Sequence, residues 1–345
     1  MDDVYFDVKK VGSFGGVRHL AKETKSTLEK TRKWLSSVDA YTLHKPYRLH
    51  FRHRRTYAKK VDDLWQADLV DMSSIARYND MKKFILTVVD VFSKMAWCIA
   101  LPNKSGATLT VAFASLIGGR RRPTYLQTDK GTEFLNSSFQ KLLAENGIKF
   151  YTSENEEIKA AIVERFNRTL KTRMYRFFTW SSSYRYVDVL DDLVDSYNRS
   201  YHRSIKMSPI SVSDANEDAV RANLYPPKRP QPKMYPFAVG DRVRLRQSRR
   251  PFQKGYLASW TQEIFSISGI VPTDPPTYRI IDLADEAIKG GFYAQELQKV
   301  QKADNDTFKV EKVLKTRTKD GKKQYYVKWL GYPDKFNSWT DYIIG

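Results

Sequence analysis

Three runs of β-branched and aromatic residues follow one another in the middle of the chain: "LWQADLVDM", "KFILTVVDVF" and "MAWCIAL". Such runs, bounded by polar and turn residues, read as strands. After them the period changes. "ATLTVAFASLI" is a helical pattern, "PTYLQTDKG" a strand ending in a turn, and "SSFQKLLAENG" a helix stopped by Gly147. "IKFYTS" is a further strand. In "AAIVERFNRTLK" the apolar Val163, Phe166 and Leu170 recur at helical spacing, which predicts a helix with one buried stripe. Glu164, Asn167, Arg168 and Lys171 then fall on a second stripe. A long helix is predicted from about Tyr184 to Tyr201. Three strands followed by alternating helices and strands imply a mixed α/β sheet with helices on its faces.

The flanks have other periods. "GGVRHLAKET" and "STLEKTRKWLSS" are two short helical patterns, the second expected to be capped by Ser26 with Glu29 as its box partner. In a basic context this pair suggests a helix-turn-helix, with Val17, Leu20, Leu28, Trp34 and Leu35 as its core. "VGDRVRLRQS" alternates, Val243 and Leu245 one way and Arg242, Arg244 and Arg246 the other, as a half-buried strand with an arginine face would. Several such strands over 237–300 read as a small β-barrel. A strand pair turning near Asp320 and Gly321 is expected in the last unit. The predicted organisation is a helical N-terminal domain (1–45), a basic linker (46–60), an α/β core (61–217), a Pro-rich basic linker (218–236), the barrel (237–300) and a terminal β unit (306–345).

Composition narrows the partners. The 345 residues carry a formal net charge of +20, and 41% are hydrophobic, enough for packed cores rather than a disordered basic tail. The charge is uneven: residues 1–60 hold 15 basic against 6 acidic residues, whereas 61–217 are nearly balanced at 21 against 19. Basic flanks around a neutral core suit phosphate contacts. No apolar run is long enough for a membrane span, and no secretory signal is visible at the N-terminus; an intracellular protein, in the nucleus or at a viral replication site or particle, is expected. Cys98 is the single cysteine, which leaves no disulfide framework and no cysteine-based zinc site. His19, His44, His50 and His53 lack thiol or acidic companions at a convincing spacing. No zinc is expected, and these histidines read as DNA-facing or structural.

Three acids stand out. Asp68 lies mid-strand among apolar neighbours, a costly place for a charge unless it is partnered or binds metal. Asp129 lies where a strand gives way to a glycine turn, and ligands of α/β sheets often sit beyond strand ends. Glu164 is on the basic helix, where it is either a salt-bridge partner of that helix or the acid to which the basic stripe brings a polyanion. "WQADLVD", "LQTDKGTEF" and "AAIVERFNRTLK" resemble the three catalytic motifs of retroviral-type DDE integrases, and the resemblance runs on through "YNRSYHRSIKMSP". "DAYTLHKP", "ERFNRTLK" and "SYHRSI" are similar to the wording of integrases from Maverick/Polinton elements and their virophage relatives.

The resemblance implies an RNase H-like catalytic core in which Asp68, Asp129 and Glu164 hold two Mg2+ (or Mn2+) ions. Asp68 would bridge the pair while Asp129 and Glu164 each hold one. It implies an enzyme that processes the 3′ ends of a mobile or viral element and joins them to target DNA, working on double-stranded DNA as a homo-multimer, commonly a tetramer. Arg168 and Lys171 match positions that contact the element's end. Two departures stand beside the match: 34 residues separate Asp129 from Glu164, where retroviral enzymes usually have 35, and "SENEEIKAA" replaces the expected Pro-Gln-rich loop. Glu156 and Glu157 in that loop are rival third ligands.

Residues 237–267 resemble the SH3-like C-terminal domain of long-terminal-repeat element integrases, with Arg244, Arg246, Arg249, Arg250 and Lys254 as candidate phosphate contacts. "FKVEKVLKTR" and "YYVKWLGYPDKFNSW" resemble a chromodomain. That match implies a methyl-lysine cage of Phe308, Trp329 and Tyr332 for a methylated histone tail, and a core role for Trp339. A catalytically inactive DNA- or chromatin-binding protein and an RNase H-fold nuclease are the alternatives.

Overall fold

The computed structural model describes residues 1–48, 50–129, 131–152, 160–226, 235–247, 257–302, 308–319 and 321–341. The chain divides into two compact units, residues 1–54 with 232–345, and residues 55–231.

The first unit begins with four short helices, α1 (Asp2–Tyr5), α2 (Val17–Glu23), α3 (Leu28–Leu35) and α4 (Asp39–Thr42). Tyr5, Leu20, Leu35 and Val38 are buried between them, with Val17 and Trp34 packed alongside. Leu28, expected in this core, is exposed; Tyr5 of α1 and Val38 before α4 supply the apolar surface instead. The cap of α3 also differs from the expectation by one residue. Thr27 Oγ1 accepts from the Lys30 amide at 3.2 Å, while the Ser26 hydroxyl donates back to the Thr24 carbonyl.

Residues 55–231 form β1 (Leu64–Asp71), β2 (Phe84–Asp90), β3 (Ala96–Leu101), α5 (Gly106–Ile117), β4 (Tyr125–Thr128), α6 (Ser137–Glu145), β5 (Lys149–Thr152), α7 (Ala161–Ser181), α8 (Leu190–Arg199) and α9 (Glu217–Leu224). The sheet order is β3-β2-β1-β4-β5. β1, β2 and β3 run antiparallel, while β4 and β5 run parallel to β1. This is the mixed RNase H-like sheet. Its alternation sorts β1: Trp65 and Ala67 pack under α5 and α6, and Val70 packs under α7 and α8. Gln66 and Asp68, in phase with Val70, therefore face α7.

α7 buries Val163, Phe166, Leu170, Met174 and Phe178, and full burial of one such side chain contributes about 1.5–3 kcal/mol. It runs ten residues beyond the quoted motif and stops at Ser182, whose φ of +48° is left-handed. The predicted long helix is correspondingly shorter. Asn79 Oδ1 accepts from the Tyr186 and Val187 amides, which pins that stretch as a turn, and α8 begins only at Leu190. Asn198 of α8 covers the β3 edge, accepting from the Ala96 amide and donating to its carbonyl, both at 2.9 Å. α9 occupies part of the stretch read as a Pro-rich linker. Its Val220 is fully buried with Leu64, Phe92 and Ile205.

The first unit resumes with a five-stranded antiparallel sheet, β6 (Arg242–Leu245), β7 (Phe265–Val271), β8 (Thr277–Ile281), β9 (Phe292–Tyr293) and β10 (Leu297–Lys299), in the order β10-β6-β7-β8-β9. Phe237, Val243, Phe265, Ile267, Tyr278, Ile280, Phe292 and Leu297 form its core. Asp39 joins the N-terminal helices to this sheet, paired with Arg244 at 2.5 Å and Lys302 at 3.0 Å. The segment read as a basic linker is held along the way. Just before it the Lys45 carbonyl accepts from the Trp260 indole at 2.7 Å, and within it the Arg54 amide donates to the Tyr293 hydroxyl at 2.9 Å. His53 packs structurally, its ring 4.3 Å from that of Phe51.

The last strands are β11 (Val310–Lys319), β12 (Lys322–Trp329) and β13 (Ser338–Thr340), an antiparallel sheet with β12 in the middle. Gly321, at φ +76°, takes the left-handed position of the expected turn. Trp339 is not a core residue. It is 36% exposed, stacked between Tyr326 and the Arg317 guanidinium, which lies 4.0 Å from its ring centre. Among the described residues no helix is long and apolar enough to cross a membrane.

Candidate active site

Asp68 sits on β1, half-buried, opposite Thr87 of β2. Its carboxylate accepts from the Asn167 side chain of α7 and from the Leu69 amide, each at 2.8 Å. Asn167 is buried, and its Oδ1 has no hydrogen-bond partner among the described residues. Asp129 follows the end of β4 and is exposed; its carboxylate accepts from the Gly131 amide at 3.1 Å. β1 and β4 are in parallel register at Gln66 and Gln127, and two residues further along each strand stand Asp68 and Asp129. Glu164 is exposed in the first turn of α7, one turn before Asn167. The three elements carrying the acids are thus neighbours.

They are also joined. The fully buried Gln66 side chain donates to Gln127 Oε1 at 2.8 Å, and its own Oε1 accepts from the Ile162 and Val163 amides at 2.9 and 3.1 Å. Neither glutamine nor Asn167 carried a role in the sequence reading. A polar residue two positions before an acid, on the same strand face, is the signal that was available.

The donors at this site are oxygens, the kind Mg2+ takes together with water. The orphaned Asn167 Oδ1 beside Asp68 suits a hydrated cation. Among the described residues, however, no three carboxylate, imidazole or thiol groups stand together as a metal-binding cluster. The residues fit the ion in kind, on elements that are neighbours, without the three acids forming a closed cluster. Glu156 and Glu157 lie outside the described residues.

Of the basic residues, Arg168 is exposed on α7 and Lys171 is half-buried. Hydrogen bonds from the Ser73 side chain and amide, with Lys104 and Lys171 nearby, hold the Asp71 carboxyl below its ordinary value. Arg244 is a correction. It is 1% exposed, donates to the Thr261 and Gln262 carbonyls, and is ion-paired with Asp39. At this position of the supposed arginine face, Asp39 of α4 and two carbonyls take up the charge, so Arg244 is a structural cation. Arg246 is half-buried, its guanidinium 5.3 Å from the Tyr47 ring centre. Arg249, Arg250 and Lys254 lie outside the described residues.

The three cage aromatics do come together. Phe308 meets Tyr332 at 5.4 Å and Trp329 at 6.1 Å between ring centres. They line a cavity of about 190 Å³ with Phe336, Ser338 and Leu283. The sequence reading missed Phe336 and Leu283; Phe336 packs edge-on to Tyr332 at 5.8 Å.

Residues 58–156 match the integrase core domain family, and residues 308–342 match the chromo (chromatin organisation modifier) domain family. A transposon-derived protein of Caenorhabditis elegans is 36% identical over 206 residues, spanning 59% of this chain and 68% of that protein. A Gag-Pro-Pol polyprotein of Human T-cell leukemia virus 3 is 27% identical over 125 residues, 36% of this chain and 8% of the polyprotein. Among solved structures, a chain of a simian T-cell lymphotropic virus intasome shares the fold at a TM-score of 0.57 and 15% identity, covering 83% of this chain and 99% of that one. With the integrase core match, the mixed sheet and the acids on neighbouring elements, the chain belongs to the family of integrase-like proteins of transposon-derived kind.

Proposed function

We propose that this protein is an active DNA integrase, a polynucleotidyl transferase that trims the 3′ ends of its element and joins them to target DNA. One observation carries the reading: Asp68 and Asp129 follow the same register pair on adjacent parallel strands, and the helix bearing Glu164 is bonded to that pair through Gln66. Asp68, Asp129 and Glu164 would hold Mg2+ or Mn2+. When bound, two such ions activate an attacking oxygen and offset charge on the leaving one. The chain's own residues do the rest. Asn167 orients the Asp68 carboxylate, and Arg168 and Lys171 draw the phosphates of the element's end to the mouth of the site. Arg246 and the basic segment beside it would add contacts to DNA, with the 237–300 sheet acting as an SH3-like module. The intasome likeness supports a multimer, read here as a tetramer, and the motif wording supports an element of Maverick/Polinton or virophage kind.

The test incubates the protein with Mg2+ or Mn2+, a labelled duplex carrying the element's end, and a plasmid. Joined products that vanish in Glu164→Gln support the integrase. Binding without joining would make the protein an inactive DNA binder, and cutting without joining a nuclease. For the chromo unit, the cavity walled by Phe308, Trp329, Tyr332 and Phe336 supports binding of a methylated lysine, as on a histone tail, by cation–π attraction. A trimethyl-lysine peptide should bind more tightly than its unmodified form, and Trp329→Ala should erase the difference in a fluorescence titration.

A further inference from the structure

We propose that Gln66 is a positioning residue that sets the relative places of the three carboxylates, an inference that rests on the metal-dependent reading above. Gln66 is fully buried, and each of its side-chain heteroatoms is engaged. Its Oε1 takes the amides of Ile162 and Val163, two of the donors that a helix start leaves without intrahelical partners. Such donors are ordinarily satisfied by the N-cap side chain. The N-cap of α7 is Ala160, which offers no such cap. The cap therefore comes from the strand that carries Asp68. Glu164 is the residue after Val163, so the bond fixes its backbone directly. Gln66 Nε2 binds Gln127, two residues before Asp129. A single amide group thus ties the supports of Asp68, Asp129 and Glu164 from one layer below them.

A space-filling polar residue would need none of this specificity; a clamp needs an acceptor towards the helix and a hydrogen bond towards β4. Gln66→Met keeps the length and removes both. Gln66→Glu keeps the acceptor, and Gln127 can turn its amide to donate to it. Two readouts on the full chain decide the matter: hydrogen exchange at residues 162–163 by mass spectrometry, and Mn2+ affinity from the spin-resonance signal of the free ion. The expected result is that Gln66→Met loses protection at 162–163 while residues 170–178 stay protected. It should also bind Mn2+ at least about tenfold more weakly, the usual effect of losing a group that orients a ligand. Gln66→Glu should stay near wild type in both. Wild-type Mn2+ affinity in a folded Gln66→Met would overturn the proposal. If Gln66→Met does not fold, Gln127→Met, which severs the link to β4, takes its place, and unchanged Mn2+ affinity there would overturn it equally. If wild type and Glu164→Gln bind Mn2+ alike, the metal reading itself fails. The clamp then stands or falls on the exchange result alone: lost protection supports it, and retained protection overturns it.

Discussion

At the scale of single residues, the contrast between Arg244 and Arg246 shows how far charge can be read from a pattern. They alternate with apolar residues on one strand, and that pattern puts both on the same face. It does not say what covers the face. Here Asp39 of α4 reaches one position and not the other, and Arg244 becomes a buried cation held by Asp39 and two carbonyls. Asp39 keeps Lys302 and is partly exposed, so removing Arg244 chiefly leaves the Thr261 and Gln262 carbonyls without their donor, at about 1–3 kcal/mol. Arg244→Met should therefore lower unfolding free energy by an amount in that range in urea titrations. Arg246→Ala should leave stability nearly unchanged and instead weaken DNA binding at low salt. The places of Asp68 and Asp129 were more legible than those of the arginines, because a charge inside an apolar strand and a charge at a strand end each announce a cost or a place. The glutamine beneath them was not, since a buried amide leaves no mark on hydrophobic periodicity.

At the scale of elements, the sheet and its helices were legible because strand and helix periods are distinct, as the β1 alternation and the 163-166-170 stripe of α7 both show. Boundaries were less so, because they are set by single hydrogen bonds. Asn79 pins two amides and starts α8 six residues later than its apolar pattern begins. The cap of α3 is the sharper case, since Ser26 and Thr27 are both good capping residues and only the geometry chooses Thr27. Thr27→Ala should destabilise the fold by about 1 kcal/mol, whereas Ser26→Ala should change it by less than half as much. Thermal unfolding of the two variants side by side would tell them apart. Neither α9 nor the third strand carrying Trp339 announced itself, the first because a short helix beside a Pro-rich stretch has few apolar positions, the second because three residues show no period.

For the whole molecule, the organisation depends on which segments share a core, and sequence order hides this. Residues 1–54 and 232–345 make one compact unit although 177 residues lie between them. The Asp39 pairs with Arg244 and Lys302, the Ser259 amide donating to the Leu43 carbonyl, and the Gln301 amide donating to the Ser36 carbonyl all cross that gap. The basic flanks, which were read as separate modules on either side of a neutral core, are parts of one folded body. In the language of split proteins, the two flanks are complementary halves. Expressed as separate polypeptides, residues 1–54 and 232–345 should find each other and co-purify, and Asp39→Ala in the shorter piece should abolish the association. Failure of the wild-type pieces to associate would show that the intervening chain, rather than their shared core, holds them together.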